Sequence, residues 1–201
     1  ITLNAAVDEY KIIPENPLAG NKISLPRSKE VKKIKALTSD ELERLLNLIK
    51  PQKDKMIALI AAKCGLRAGE IVGLTWSDVD FDNMNLNINK QWKQLPTGVF
   101  GFGTLKTSNS YRKVPIPASV VKELKKYKKS RTSEFKFDRL FPEKTTSVMC
   151  TRFNYKFKSL GFDISIHDLR HTYATNLIAI GLDFKTISKY MGDTVEMVIK
   201  T

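Results

Sequence analysis

Apolar and polar residues recur along this chain with two different periods, and the change from one to the other and back marks out its elements. Leu42, Leu45, Leu46 and Ile49 follow helical spacing behind Thr38, with Glu41 three residues after that hydroxyl. A hydroxyl and a carboxylate so placed form a capping box, so the pattern predicts an amphipathic helix with one buried face. A second helix is expected over about 53–64, stopped by Gly65 in a left-handed C-cap, and a short third one over 68–74. The period then falls to two. Met84, Leu86 and Ile88 alternate with Asn85, Asn87 and Asn89, as on a half-buried strand. A second strand is expected up to Leu105, then a turn at 107–110 and a third strand over 112–116. Helical spacing returns at Val120, Val121, Leu124 and Tyr127, and again at Val148, Phe153, Phe157 and Leu160, closed by Gly161. A helix over 167–180, closed by Gly181, and two short ones, 184–190 and 195 to the end, complete the series. The fold class is therefore α+β, mainly α-helical with a small three-stranded antiparallel sheet.

Pro14, Pro17, Gly20 and Pro26 punctuate the stretch before the first strong helix, and a basic run at 29–35 follows them. Residues 16–37 read as a linker. Residues 1–15 start without an initiator Met and look like part of a helix, as at the end of a preceding domain.

Composition narrows the class. Hydrophobic residues make up 42% of the 201 positions and charged residues 27%, which suits a folded globular chain and argues against disorder. Lys and Arg number 34 against 21 Asp and Glu, a net charge of +13. Such a surplus favours a polyanionic partner through phosphate neutralisation and counterion release. Nucleic acid is the first candidate, an anionic membrane surface the second, and a basic surface with no partner the third. The two cysteines, Cys64 and Cys150, make neither a disulfide framework nor a zinc site, and they suit a reducing compartment. The longest apolar stretch, 56–62, is far too short to cross a bilayer, and no signal peptide is visible. A cytoplasmic protein with no membrane partner is expected.

Three polar clusters interrupt the patterned segments. Arg67 lies at the junction of two apolar helices, in Gly65-Leu66-Arg67-Ala68-Gly69-Glu70. Lys106 follows the second expected strand, in Thr104-Leu105-Lys106-Thr107. His167 and Arg170 lie three apart on one helix face, in His167-Asp168-Leu169-Arg170-His171-Thr172. Each has a plainer reading by itself. An arginine near a helix end often satisfies the last carbonyls, a lysine by a hairpin is usually solvated, and a His-x-x-Arg can be a surface pair.

In this order and at these spacings the clusters resemble the tyrosine recombinases, from about residue 36 to residue 201. Leu74-Thr75-Trp76-Ser77-Asp78 and Leu140-Phe141-Pro142 stand where that family places similar runs. The resemblance implies a domain at 38–201 that cleaves and rejoins DNA through a 3′-phosphotyrosyl intermediate, with neither metal nor cofactor. It assigns Arg67 and Arg170 to a phosphate clamp, Lys106 to protonation of the leaving oxygen, and His167 to proton transfer or phosphate ordering. It also implies that residues 1–15 are the remnant of an N-terminal core-binding domain, that double-stranded DNA is the partner, and that the full-length protein acts as a tetramer on DNA in a bacterial cytoplasm.

Two departures stand out. Where the family carries Leu-Gly-His, or sometimes a tryptophan in place of the histidine, this chain has Tyr190-Met191-Gly192-Asp193. An ionised Asp193 has no proton to donate to phosphate, and the favoured reading makes it the N-cap of the helix that follows. The family's nucleophilic tyrosine would fall one position past Thr201, so the expectation is a catalytic domain that stops just short of it. Tyr173 and Tyr190, the nearest in sequence, read as packing residues. Three other readings stay open: a type IB topoisomerase, a non-catalytic DNA-binding or assembly module of the same family, and an RNA-binding protein suggested only by charge. The basic run at 122–131 is either a further DNA contact or a solvated helix face.

Overall fold

Helix α3 (Gln52–Cys64; α1 and α2 precede it) has nine of its thirteen residues buried, on every side of its cylinder. A helix apolar all round must be covered all round. Here α2 (Ser39–Leu48), α5 (Ala118–Ser130) and α7 (Ile166–Ala179) pack against it. Its one buried carboxylate, Asp54, is balanced by Arg152 and Lys156 of α6 (Thr146–Ser159). Cys64 is fully buried at its end, and loss of hydration pushes that thiol up to about 12, which leaves it an apolar filler.

The computed structural model describes residues 3–18, 35–131 and 138–199. The chain divides into two units, Ile1–Lys33 and Ile34–Thr201. In the first, α1 (Leu3–Asp8) has no buried residues. Most of the expected linker, at 19–34, lies outside the described residues, as does all of the basic run at 29–35 except Lys35.

Local signals set the helix boundaries of the second unit. Thr38 caps α2 through the expected box, its hydroxyl accepting from the Glu41 amide while Glu41 accepts from the Thr38 amide at 2.9 Å. Gly65 ends α3 in the left-handed conformation, at φ 64°. A β-carbon there would lie 2.2 Å from the Tyr173 ring, so the glycine both turns the chain and admits α7. The short α4 (Ala68–Gly73) follows at once. Beyond α7 come α8 (Phe184–Met191) and α9 (Val195–Ile199), which share a small core of their own around Ile187, Met191 and Val198.

The sheet is partitioned differently from the expectation. The three-stranded sheet consists of β1 (Val79–Asp80), β2 (Asn85–Ile88) and β5 (Arg112–Pro115), antiparallel, in the order β1-β2-β5. The middle strand expected up to Leu105 is instead a separate hairpin, β3 (Gln91–Gln94) and β4 (Phe100–Gly103). Within the hairpin Trp92 meets Phe102 edge-on at 5.3 Å, and from outside it the buried Arg139 lies 3.8 Å over the Trp92 ring. Period-two alternation says which face a residue takes, but not which neighbour its strand will choose.

Gly65→Ala should cost about 2–4 kcal/mol, from left-handed strain plus the clash with Tyr173. The midpoint of urea denaturation measures it. A loss below about 0.5 kcal/mol would show that Tyr173 can move aside freely.

Candidate active site

Three arginines from distant parts of the second unit converge on the end of α8. Its last turn leaves carbonyls with no partner inside the helix. The backbone closes part of the deficit, since the Gly192 amide donates to Lys189 and Ser188, and the Asp193 amide to Ser188. The next three carbonyls each take a guanidinium. Arg112 Nε donates to Tyr190 O at 2.6 Å, Arg170 Nη2 to Met191 O at 2.7 Å, and Arg67 Nη2 to Gly192 O at 2.7 Å. Positive charge at this end also suits the helix dipole.

Each arginine is placed by local structure. Arg67 occupies the N-cap position of α4, directly after the turn at Gly65. Arg170 lies one turn into α7, whose start is fixed by a capping box between Ser165 and Asp168. Its side chain is 2% exposed, and its Nη1 donates to Gly65 O at 2.5 Å. Arg112 opens β5, opposite Ile88 of β2. Gly192 is left-handed, at φ 64°, and a β-carbon there would come within 2.9 Å of Arg112 Nη1.

Glu70 balances this charge. Its carboxylate is 2% exposed and all four acceptor positions are filled: by Arg67 N (2.8 Å) and Nη1 (2.9 Å), and by Arg112 Nη1 (3.0 Å) and Nη2 (2.9 Å). Burial alone would raise its pKa, but Arg112 and then Arg67 outweigh that and hold it below the usual carboxylate range. Asp193 completes the group. One of its oxygens accepts from Arg67 Nη2 and the other from Arg170 Nη2, the latter at 2.5 Å. Burial again pushes the carboxyl up, and Arg170 and Arg67 bring it below its ordinary value.

A cavity of about 410 Å³ opens beside this group, and Arg67, Lys106, Ser110, Gly192 and Asp193 are among its lining residues. Lys106 follows β4 on a stretch anchored at the Thr104 carbonyl, which accepts from Gln91 Nε2 at 2.9 Å and Lys93 Nζ at 3.1 Å. Arg170 is not on the lining; it reaches the site from behind, through Asp193. His167, on α7, is not on the lining; its surface is open but its ring is partly desolvated by its neighbours and lies edge-on to His171 with centroids 4.6 Å apart. Of the five expected site residues, Arg67, Arg170 and Asp193 are bonded into one group. Lys106 shares their cavity, and His167 feels Arg170 and Asp193 only through space. Among the described residues no tyrosine lines the cavity, and no group of three or more His, Cys, Asp or Glu could hold a metal ion. Tyr173 and Tyr190 are packing residues of the small core.

The capping role expected of Asp193 is corrected. Thr194 accepts from the Met197 amide at the start of α9, at 3.4 Å, while both Asp193 oxygens are taken by arginines. Two guanidiniums, that of Arg170 buried and that of Arg67 partly so, bind a carboxylate more strongly than a surface helix end does. Sequence reading passed over Arg112 and the cap at Ser165. Both carried a signal: Arg112 shares a strand face with buried Val114, and Ser165-x-x-Asp168 is a capping-box pattern.

Two predictions follow from these charges. Glu70→Ala strips Arg67 and Arg112 of their shared counterion and should cost about 3–5 kcal/mol, read from the denaturation midpoint; a neutral result would mean that the arginines find other partners. The pKa values of both histidines, the only two in the chain, are depressed, first by burial and then by neighbouring cations: for His167 by His171 and Arg170, for His171 by Arg170. A depressed histidine takes up its proton more readily in the unfolded chain, so stability rises with pH through the window below 6.5. Melting temperature should therefore climb from about pH 5 to 6.5, and His171→Asn should flatten the slope. A slope unchanged in that variant would rule out His171 as a source.

Known proteins carry the same arrangement of elements. The Phage integrase family model matches residues 35–198. A tyrosine recombinase XerC-like protein of Caldanaerobacter subterraneus subsp. tengcongensis is 30% identical over 94% of this chain and 55% of its own length. The ICEBs1 integrase of Bacillus subtilis is 31% identical over 94% of this chain and 54% of its own length. The chain thus spans about half the length of these relatives. In structure it is similar to the Tn1549 transposon integrase in complex with a circular intermediate DNA, with a TM-score of 0.76 at 23% identity, covering 98% of this chain and 69% of that one. The family match over residues 35–198, together with a tyrosine recombinase relative 30% identical over 94% of this chain, places the chain in the phage integrase family of tyrosine recombinases.

Proposed function

We propose that this chain is the strand-cleaving part of a site-specific DNA recombinase, with Arg67 and Arg170 gripping the scissile phosphate. One observation carries the reading: two guanidiniums from separate elements already converge on the two oxygens of a single anion beside a cavity. A phosphodiester presents two non-bridging oxygens in much the same way, and paired arginines stay charged and suit them. Their rigid setting against the end of α8 and Glu70 supplies electrostatic preorganisation, because the donors need not rearrange as charge builds on the phosphate.

Lys106 stands on the other wall of the same cavity and is the proton donor for the departing 5′ oxygen. His167, on the exposed side of α7, orders the phosphate or takes part in proton transfer with the nucleophile. A tyrosine hydroxyl attacks the phosphorus, the bond to the 5′ oxygen breaks, and a 3′-phosphotyrosyl ester conserves the bond for rejoining. The net charge of +13 draws in the duplex mostly through sequence-independent phosphate contacts. The full-length protein works on double-stranded DNA as a tetramer in the cytoplasm, with an N-terminal domain completing the grip; residues 1–15 are the end of that domain. Among the described residues no helix is long and apolar enough to cross a membrane.

The test is covalent-adduct formation by the parent protein on nicked suicide DNA bearing its element's recombination site, run on a denaturing gel. Arg67→Ala and Arg170→Ala should each lower the single-turnover rate by about 10²–10³-fold. An adduct that forms equally fast in both variants would overturn the clamp. DNA binding with no adduct at all would leave a non-catalytic relative.

A further inference from the structure

The clamp is already occupied. Arg67 Nη2 spends one hydrogen on Gly192 O and the other on Asp193; Nη1 spends its two on Glu70 and, at 3.4 Å, on Ser110 Oγ. Arg170 Nη2 is likewise divided between Met191 O and Asp193. Each Nη2 carries two hydrogens, so neither has one left for a phosphate oxygen while Asp193 stays in place. The other carbonyl and carboxylate partners of the two arginines are the backbone end of α8, Gly65 O and buried Glu70, and they hold the arginines rather than compete for the site. Asp193 differs. It lines the cavity, its side chain is 21% exposed, and it lies in the short turn between α8 and α9. Rotation of that one side chain frees one N–H on each Nη2, that of Arg67 on the cavity wall and that of Arg170 directly behind Asp193.

We propose that Asp193 is an internal anion that closes the two-arginine phosphate site, so that a phosphodiester enters by displacing it. This rests on the reading of Arg67 and Arg170 as the phosphate clamp. The carboxylate puts one oxygen on each guanidinium, as the two non-bridging oxygens of a phosphate would. With Asp193 bound, the charges of Arg67, Arg112, Arg170, Glu70 and Asp193 sum to +1; with it turned away, the four that remain sum to +2. Closure therefore discriminates. A small free anion must replace the carboxylate on the strength of its own contacts alone. Duplex DNA arrives with many other phosphate contacts, which offset the cost of opening. The device favours engagement of the clamp only when the duplex is seated.

The experiment titrates the full 201-residue chain with inorganic phosphate and follows the amide resonances of Gly192 and its neighbours by NMR. Asp193→Asn should bind phosphate at least about tenfold more tightly than the parent chain, the factor by which a mostly closed site weakens apparent affinity. Arg67→Ala in the Asp193→Asn background should abolish that binding. Glu196→Gln removes the same charge from α9 without touching either arginine, and should change affinity by less than about twofold. If Asp193→Asn loses its dispersed spectrum, Asp193→Ser carries the same comparison. Equal phosphate affinity in the parent chain and the Asp193 variants, both sensitive to Arg67→Ala, would overturn the closure and leave the clamp standing. So would an equal gain in Glu196→Gln, which would reduce the effect to general charge. Phosphate binding in no variant, or binding indifferent to Arg67→Ala, would overturn the clamp and the closure together.

Discussion

Arg112, Arg170 and Arg67 end on three consecutive carbonyls, those of Tyr190, Met191 and Gly192, at the C-terminus of α8. These acceptors have no partner within their own helix and must find one elsewhere. A charge-assisted hydrogen bond is worth about 1.5–3 kcal/mol, so three together form a strong tie among these elements, added to the ion pairs of Glu70 and Asp193. The tie runs from the start of α4, from the opening of β5 and from the first turns of α7. The sheet, the central helices and the small terminal core are thereby fixed to one another at a single place, and that place borders the cavity.

Concentrating arginines there is costly unless the charge is matched. Glu70 supplies one of the two matching charges, with every acceptor position used and almost no exposure, and Asp193 supplies the other. Removing water from so dense a group strengthens each interaction and raises the penalty for any partner left out. The clamp arginines are thus fixed at their inner ends, while the part of Arg67 and the bridging oxygens of Asp193 that face the cavity stay within reach of an incoming anion. Holding charge rigidly at the point where a phosphate must be stabilised is the arrangement that electrostatic catalysis needs.

Asp193 shows how one residue can be read twice. Next to a new helix, an aspartate looks like a cap. In the folded chain it faces two guanidiniums, and Thr194 does the capping. The sheet is a similar case. Alternation around Leu86 and Ile88 identified a strand, yet the strand paired with β1 and β5, while the segment expected between them folded back on itself around Trp92 and Phe102.

Sequence by itself determined what depends on neighbours a few residues away. The capping box at Thr38, the left-handed stops at Gly65, Gly161 and Gly181, the helical and two-residue periods, and the order of the Arg67, Lys106 and His167–Arg170 clusters were all legible, because caps and periods act within one or two turns. What needs partners from far along the chain was decided only by the tertiary structure: which strands pair, that Arg112 joins the site, and that α8 ends where three arginines can reach it. A side chain's charge is written in the sequence, but the counter-charge it meets is set by how helices and sheet pack, and for Asp193 that packing changed a helix cap into the anion of an arginine pair.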